Sequence, residues 1–233
     1  LLEASFGDGW WQSGALSLYF KAATVDQEPV RCFASAVDAA NGISRLRVWM
    51  ENEAGAQIVS GSASCGGRDD ESELRARLKQ IRPVTELRIL NALSVGDTAS
   101  PVAVRISNSQ VDNQLRVITE PLDCYRTADR FGARVLPMTG IVSIFDAAEQ
   151  LLAEPAVQPF VGLYGAIEVA YLDGPVFSET DYLASGTVVG LTDSPKTEVL
   201  WREMTLTTPY EQPVARMLKM DRIMKGSSPL WAT

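Results

Sequence analysis

Gly14-Ala15-Leu16-Ser17-Leu18-Tyr19-Phe20, near the start of the chain, returns as Gly165-Ala166-Ile167-Glu168-Val169-Ala170-Tyr171 in its second half. Both stretches alternate apolar with other residues at period two, the pattern of a strand with one buried face. The same succession of signals comes after each of them. A turn-rich stretch leads to a second alternating segment, residues 30–37 and 181–189. A third segment pairs Arg45-Leu46-Arg47-Val48-Trp49-Met50-Glu51 with Glu198-Val199-Leu200-Trp201-Arg202-Glu203, so that Val48 answers Leu200 and Trp49 answers Trp201. A turn at residues 52–55, or 207–212, then precedes a fourth strand at residues 57–64, or 214–225. The chain carries two copies of one antiparallel unit.

The second copy also shows a helix ahead of its strands. Leu136-Pro137-Met138-Thr139 opens it, with proline near the first turn, where its missing N–H does no harm. Ile141, Ile144, Phe145, Ala148, Leu151 and Leu152 then fall on one continuous apolar face, and Pro155 and Pro159 end it. Residues 87–93, 102–107 and 115–119 are further strand candidates. In the first copy Leu1 to Phe6 read as the tail of the equivalent helix, which leads us to expect residues upstream of Leu1. Between the copies, an acidic run from Asp69 to Glu73 passes into Arg75, Arg77 and Lys79, an order that suits a helix macrodipole. Its polarity nearly all round predicts a solvated linker helix.

Composition narrows the function classes. The chain has 233 residues, 46% hydrophobic and 21% charged, which is globular and allows one large domain or two small ones. The net charge of −8 argues against a nucleic-acid partner. No apolar run approaches the ~18 residues of a membrane span, and no secretory leader is visible, so a cytoplasmic protein is expected. Cys32, Cys65 and Cys124 form an odd set without metal-like spacing and read as reduced, mostly buried thiols; no metal or cofactor is expected. The chain contains no histidine. Taken as the whole protein, that excludes Ser-His-Asp hydrolysis, His-ligated zinc and a His general base.

An apolar helix and then antiparallel strands, twice over, resembles the double hotdog, in which two curved sheets each wrap a central helix. Within that superfamily the chain is similar to MaoC-like hydratases and dehydratases. Leu93-Ser94-Val95-Gly96-Asp97-Thr98 resembles the opening of such domains, and Val117-Ile118-Thr119-Glu120-Pro121-Leu122-Asp123-Cys124-Tyr125 resembles their approach to the active site. The segment from Ile167 to Val176 is similar to the strand and turn after the hotdog helix, and the likeness spans roughly residues 84–225. The family's hydratases place an Asp and a His between that Tyr and the helix. Here the segment reads Arg126-Thr127-Ala128-Asp129-Arg130-Phe131-Gly132-Ala133-Arg134-Val135-Leu136-Pro137, without the His. Water addition to an enoyl thioester needs a base and an acid, and arginine stays protonated. Either the second copy is silent, or the dyad belongs to the unseen front of the first copy, or a loop is missing from this stretch.

The resemblance makes Asp129 and Asp123 the candidates for the catalytic Asp, against plain roles as caps or as loop ion pairs with the neighbouring arginines. Arg126, Arg130 and Arg134 could meet the phosphates of CoA or phosphopantetheine, or simply be solvated. Some hotdog thioesterases use a carboxylate on the central helix, which brings in Asp146 and Glu149. Thr139-Gly140 at the helix start could offer a backbone N–H to a thioester carbonyl. Met217, Leu218, Met220 and Met224 read as core or as an acyl tunnel. Trp10-Trp11 reads as a core cap or a pocket mouth, and burial of Trp49 or Trp201 would imply an oligomer contact.

The sequence reading is therefore an α+β double hotdog: a first repeat over 1–67 lacking its front, a linker helix over 68–82 and a second repeat over 83–233. The resemblance implies an acyl-CoA or acyl-carrier-protein thioester as substrate and a protein of the hydratase/dehydratase type, with a hotdog thioesterase and a non-catalytic acyl-binding or scaffolding subunit as the alternatives. No membrane partner is expected; a homodimer formed through sheet edges is.

Overall fold

Ten antiparallel strands join the two copies into one sheet in the computed structural model, which describes every residue except Arg68, Asp69, Pro83, Thr85, Glu120 and Thr233. The first half contributes β1 (Ala15–Phe20), β2 (Val30–Ala34), β3 (Asp38–Ala40), β4 (Ile43–Asn52) and β5 (Gln57–Cys65). The second contributes β6 (Thr98–Val104), β7 (Gly162–Tyr171), β8 (Tyr182–Asp193), β9 (Thr197–Thr207) and β10 (Pro213–Met224). The strand order is β2-β4-β5-β1-β7-β10-β9-β8-β6, with β3 beside β4. Read outward from the centre, β1-β5-β4-β2 mirrors β7-β10-β9-β8. The repeat aligns Ser17 with Glu168, and the same two residues lie opposite each other where β1 meets β7, so an approximate two-fold axis runs through that pair. Glu120, and the Arg68-Asp69 part of the charge run, lie outside the described residues.

Residues directly opposite in an antiparallel sheet share a face. On the inner face this alternation gathers Leu46, Val48, Ala63, Ile167, Val169, Leu200, Met204 and Met217 into the main core. The expected central helix fills the second half as two pieces, α5 (Met138–Ile144) and α6 (Asp146–Ala153), divided at Phe145. Phe145 is wholly buried, as are Ile141 and Ala148, whereas Leu151 turns outward, 46% exposed. The first half has two short helices before its strands, α1 (Leu2–Phe6) and α2 (Gly9–Ser13).

Several expectations change. Residues 87–93 form no strand: Ile89, Leu90 and Leu93 are buried, but the backbone N–H groups of Arg88, Ile89 and Leu90 donate to the Glu198 carboxylate in place of a neighbouring strand. Nor is 115–119 a strand, because Leu115 ends α4 (Asn108–Leu115), which Ser107 and Gln110 open with a capping box. The 102–107 candidate is β6 up to Val104 and then the approach to that cap.

The linker helix is not solvated all round. α3 (Glu73–Leu78) lies on the outer face, with Leu74 1% exposed. Leu74, Leu78 and Ile81 form a second core with Ala166, Val199, Trp201, Leu218 and Met220. Its charges have partners there: Arg75 bonds Glu168 at 2.7 Å and Glu203 at 2.8 Å. This cover also explains the burial of Trp201 within one chain, without the oligomer contact expected from the sequence. Met217 faces the inner core and Leu218 and Met220 the outer one, which makes this segment packing on both faces and no tunnel.

Candidate acyl-binding site

Among the described residues the inner face of the first half carries no long helix, and an open cavity of about 570 Å³ lies against it. The period-two strands supply its walls: Leu16 and Leu18 from β1, Cys32 from β2, Val48 and Met50 from β4, and Val59 from β5. Leu2, Glu3 and Trp10 close it from α1 and α2. The second half reaches across with Pro121, Leu122, Tyr125 and Met138, the segment that leads into α5. The volume lies in the ~300–1,000 Å³ range of small-molecule sites, and the walls are mainly apolar with few polar groups.

Two of those polar groups are Tyr125 and Glu3. The Tyr125 ring packs edge-on against Trp11, within an aromatic cluster that also holds Phe131 and Tyr171. Its hydroxyl has no protein hydrogen-bond partner among the described residues. Burial pushes the phenol far up, with Cys124 and Glu3 adding to the effect, so it remains a neutral donor. Glu3 accepts a hydrogen bond from the Trp11 indole at 3.1 Å and pairs with Arg130. Burial alone would raise its pKa; the hydrogen bonds from Arg130 and Trp11 and the Arg130 charge outweigh that and hold it below the ordinary range. Of the adjacent tryptophans, Trp10 lines the cavity and Trp11 caps the core, so both sequence readings hold, one for each.

The other candidates are scattered. Asp123 and Asp129 are exposed, do not line the cavity and make no ion pair among the described residues. Arg130 is committed to Glu3 and Asp8, and Arg134 to Asp112 at 2.6 Å and the Tyr125 carbonyl at 2.9 Å; Arg126 is exposed. Thr139 and Gly140 begin α5, but Gln114 of α4 lies across them: its Oε1 is 3.5 Å from the Thr139 hydroxyl, and a Cβ at Gly140 would sit 3.0 Å from it.

Glu149, on α6, points into a buried charge cluster. It accepts from Lys219 at 2.5 Å and from Arg202 at 3.1 Å, and Arg202 also pairs with Asp221. Its Oε1 has no partner among the described residues, and burial pushes its carboxyl up against the pull of Arg202 and Lys219. Asp146, one turn earlier, is raised by burial and lowered less by Lys219. Both carboxylates line a depression of about 260 Å³ with Gln150, Ala153 and Arg202, well apart in sequence and lining from the larger cavity. Sequence reasoning missed Glu3 and the first-half wall residues as site residues. Their signal was present in the alternation of Leu16 with Leu18 and Val48 with Met50, which marks a face that needs cover.

Among the described residues no helix is long and apolar enough to cross a membrane, and no cluster of His, Cys, Asp or Glu could hold a metal ion. No protein-family profile matches the sequence, and no curated protein matches it. Solved structures do match. A protein of Chloroflexus aurantiacus described as a MaoC domain dehydratase superposes with a TM-score of 0.61 at 11% identity, over 93% of this chain and 76% of that one. A conserved hypothetical protein of Mycobacterium tuberculosis described as having a double hotdog fold gives 0.62 at 9% identity, over 91% and 75%. A MaoC-like dehydratase gives 0.54 at 12% identity, over 91% and 74%. In fold, then, the chain is a double hotdog of the kind seen in MaoC-like dehydratases.

Proposed function

We propose that the protein binds an acyl thioester, of CoA or of an acyl carrier protein, with the acyl chain in the cavity between the two halves, as a protein of the MaoC-like hydratase/dehydratase type. The observation that carries this is the cavity itself: about 570 Å³, walled by Leu16, Leu18, Val48, Met50 and Val59, and bordered by the segment that leads into the central helix. Apolar walls of this extent stabilise a buried chain by about 0.8 kcal/mol per methylene. Trp10 and Trp49 border the cavity and report on it. Titration with acyl thioesters of increasing chain length should change tryptophan emission, with affinity rising along the series. No response at any length removes the reading, and so does a response in a variant with Val48→Arg equal to that of the wild type.

This chain has no histidine and so no Asp-His pair. The charge cluster favours one second reading, a hotdog thioesterase that uses a helix carboxylate. Glu149 combines a raised pKa, an unpartnered oxygen and an adjoining depression, properties that suit a general base for water attacking a thioester carbonyl. If so, Glu149→Gln or Asp146→Asn lowers thioester hydrolysis by about 10²-fold or more, as loss of a general base does. Equal hydrolysis by all three proteins, or none by the wild type, leaves the binding reading alone. A homodimer through the sheet edges belongs to the same proposal, and sedimentation showing only monomer would remove it.

A further inference from the structure

The outer faces of the two halves differ. In the second half Ala166, Met220 and Trp201 form one row across β7, β10 and β9, and α3 covers them. The approximate two-fold axis matches that row to Ala15, Ser64 and Arg45 across β1, β5 and β4. Beyond it come Ser17, Ser62 and Arg47, and then Tyr19, Ser60 and Trp49. Where the second half presents apolar side chains to a helix, the first presents serines and arginines. A cavity of about 590 Å³ lies over them, bounded by Arg45, Arg47 and Trp49 on one side and by Glu71 and Glu73, where α3 begins, on the other. Alternation puts it on the opposite face of the sheet from Leu16, Leu18 and Val59, which wall the acyl cavity.

Trp49 is held in place there. Its indole N–H donates to Glu51 at 2.9 Å, and one ring face stacks on Phe33 with centres 5.2 Å apart and planes 9° from parallel. Its neighbour on the other side is Ser60, too small to cover the second face. Arg47 stands on the same face two residues back along β4, about 7 Å away. Its guanidinium makes no ion pair or hydrogen bond among the described residues, and neither do the hydroxyls of Ser60 and Ser62. Arg45 and Glu71 have partners, and Glu73 pairs with Arg77 at 2.7 Å. An open ring face and an unpaired guanidinium at this spacing match a base and the 5′-phosphate across its ribose, and carboxylates on the facing wall are acceptors for ribose hydroxyls. We propose that this groove binds a nucleoside monophosphate, the base stacking on Trp49 and the phosphate accepting from Arg47 and Ser62. Two guanidiniums, Arg45 and Arg47, against two carboxylates, Glu71 and Glu73, leave the groove without net charge, so each further phosphate adds charge that nothing there neutralises. The groove and the acyl cavity lie on opposite faces, and neither reading rests on the other.

Calorimetry with AMP at pH 7, beside adenosine, ribose 5-phosphate, ATP and CoA, tests this. AMP should bind about tenfold or more tightly than adenosine or ribose 5-phosphate, since each of those lacks one of the two contacts, the phosphate hydrogen bonds or the stacked base. ATP and CoA, with more phosphates, should bind several-fold more weakly than AMP. Arg47→Gln should weaken AMP about tenfold and leave adenosine unchanged, because it removes one charge-assisted hydrogen bond. Ser60→Leu, which sets a side chain against the open face of Trp49, should abolish binding of both. Neither Arg47 nor Ser60 lines the acyl cavity, and thermal melts establish that the variants fold. No AMP binding to the wild type at millimolar concentration overturns the inference. So does ribose 5-phosphate binding as tightly as AMP, ATP or CoA binding more tightly than AMP, or Arg47→Gln binding AMP like the wild type.

Discussion

Glu198 shows how much one side chain can organise. It is wholly buried, yet it accepts from the backbone N–H groups of Arg88 and Ile89 at 3.0 Å and of Leu90 at 2.9 Å, and from the Trp231 indole at 2.7 Å. Two of these donors, on Ile89 and Leu90, are buried and would otherwise be unpaired, and an unsatisfied buried group costs about 1–3 kcal/mol. Glu198→Ala should therefore lower stability by about 3 kcal/mol or more in urea denaturation. Burial raises the Glu198 pKa, but the backbone and indole donors outweigh it and hold the group below its ordinary 4.5. A carboxylate depressed on folding stabilises fully above its unfolded pKa and loses that contribution as pH falls through the folded value. Wild type should lose stability in acid more steeply than Glu198→Gln, and parallel curves would show that Glu198 is not the group titrating.

At the scale of elements, the linker helix is the informative case. Its composition reads as a solvated segment, since Glu73, Arg75, Arg77 and Lys79 leave little apolar surface. What makes it a core element is one leucine and one arginine placed against partners distant in sequence. Leu74 enters the outer core that also holds Trp201, and Arg75 closes on Glu168 and Glu203. Leu74→Ala should cost about 2–4 kcal/mol, as deletions of buried leucine do. Urea denaturation checks this; a variant as stable as the wild type would show that Leu74 is not part of the outer core. The central helix teaches the converse. The spacing from Ile141 to Leu152 gives the buried face correctly at every position but Leu151 and does not foresee the division at Phe145, because period reports which side is apolar and not whether the backbone stays continuous.

At the scale of the molecule, the two repeats share one sheet. β1 and β7 pair without interruption from Ala15 opposite Ala170 to Tyr19 opposite Ala166. Trp10 packs edge-on against Tyr171, and Trp11 against Tyr125, carrying first-half side chains into the second half. A cut along this seam would expose both cores and two unpaired edges. The halves should therefore unfold together, giving a single calorimetric transition with equal calorimetric and van't Hoff enthalpies. Two separated transitions would show that each repeat stands alone.

The sequence by itself determined the repeat, the strands of both copies and their alternation, because a half-buried strand writes its pattern into consecutive residues. It also placed the buried helix and, through the missing histidine, left this chain without an Asp-His pair. Only the tertiary structure decided what depends on partners far along the chain. The stretch 87–93 has the composition of a strand, but its donors turn to Glu198. Three loop arginines read alike, yet two of them are taken up by Glu3, Asp8 and Asp112. The resemblance brings Tyr125 to the approach of an active site, but only the fold sets its ring at a cavity. Periodicity is local and legible; charge pairing and cavity walls arise where distant segments meet, and no window of sequence contains both sides of that contact.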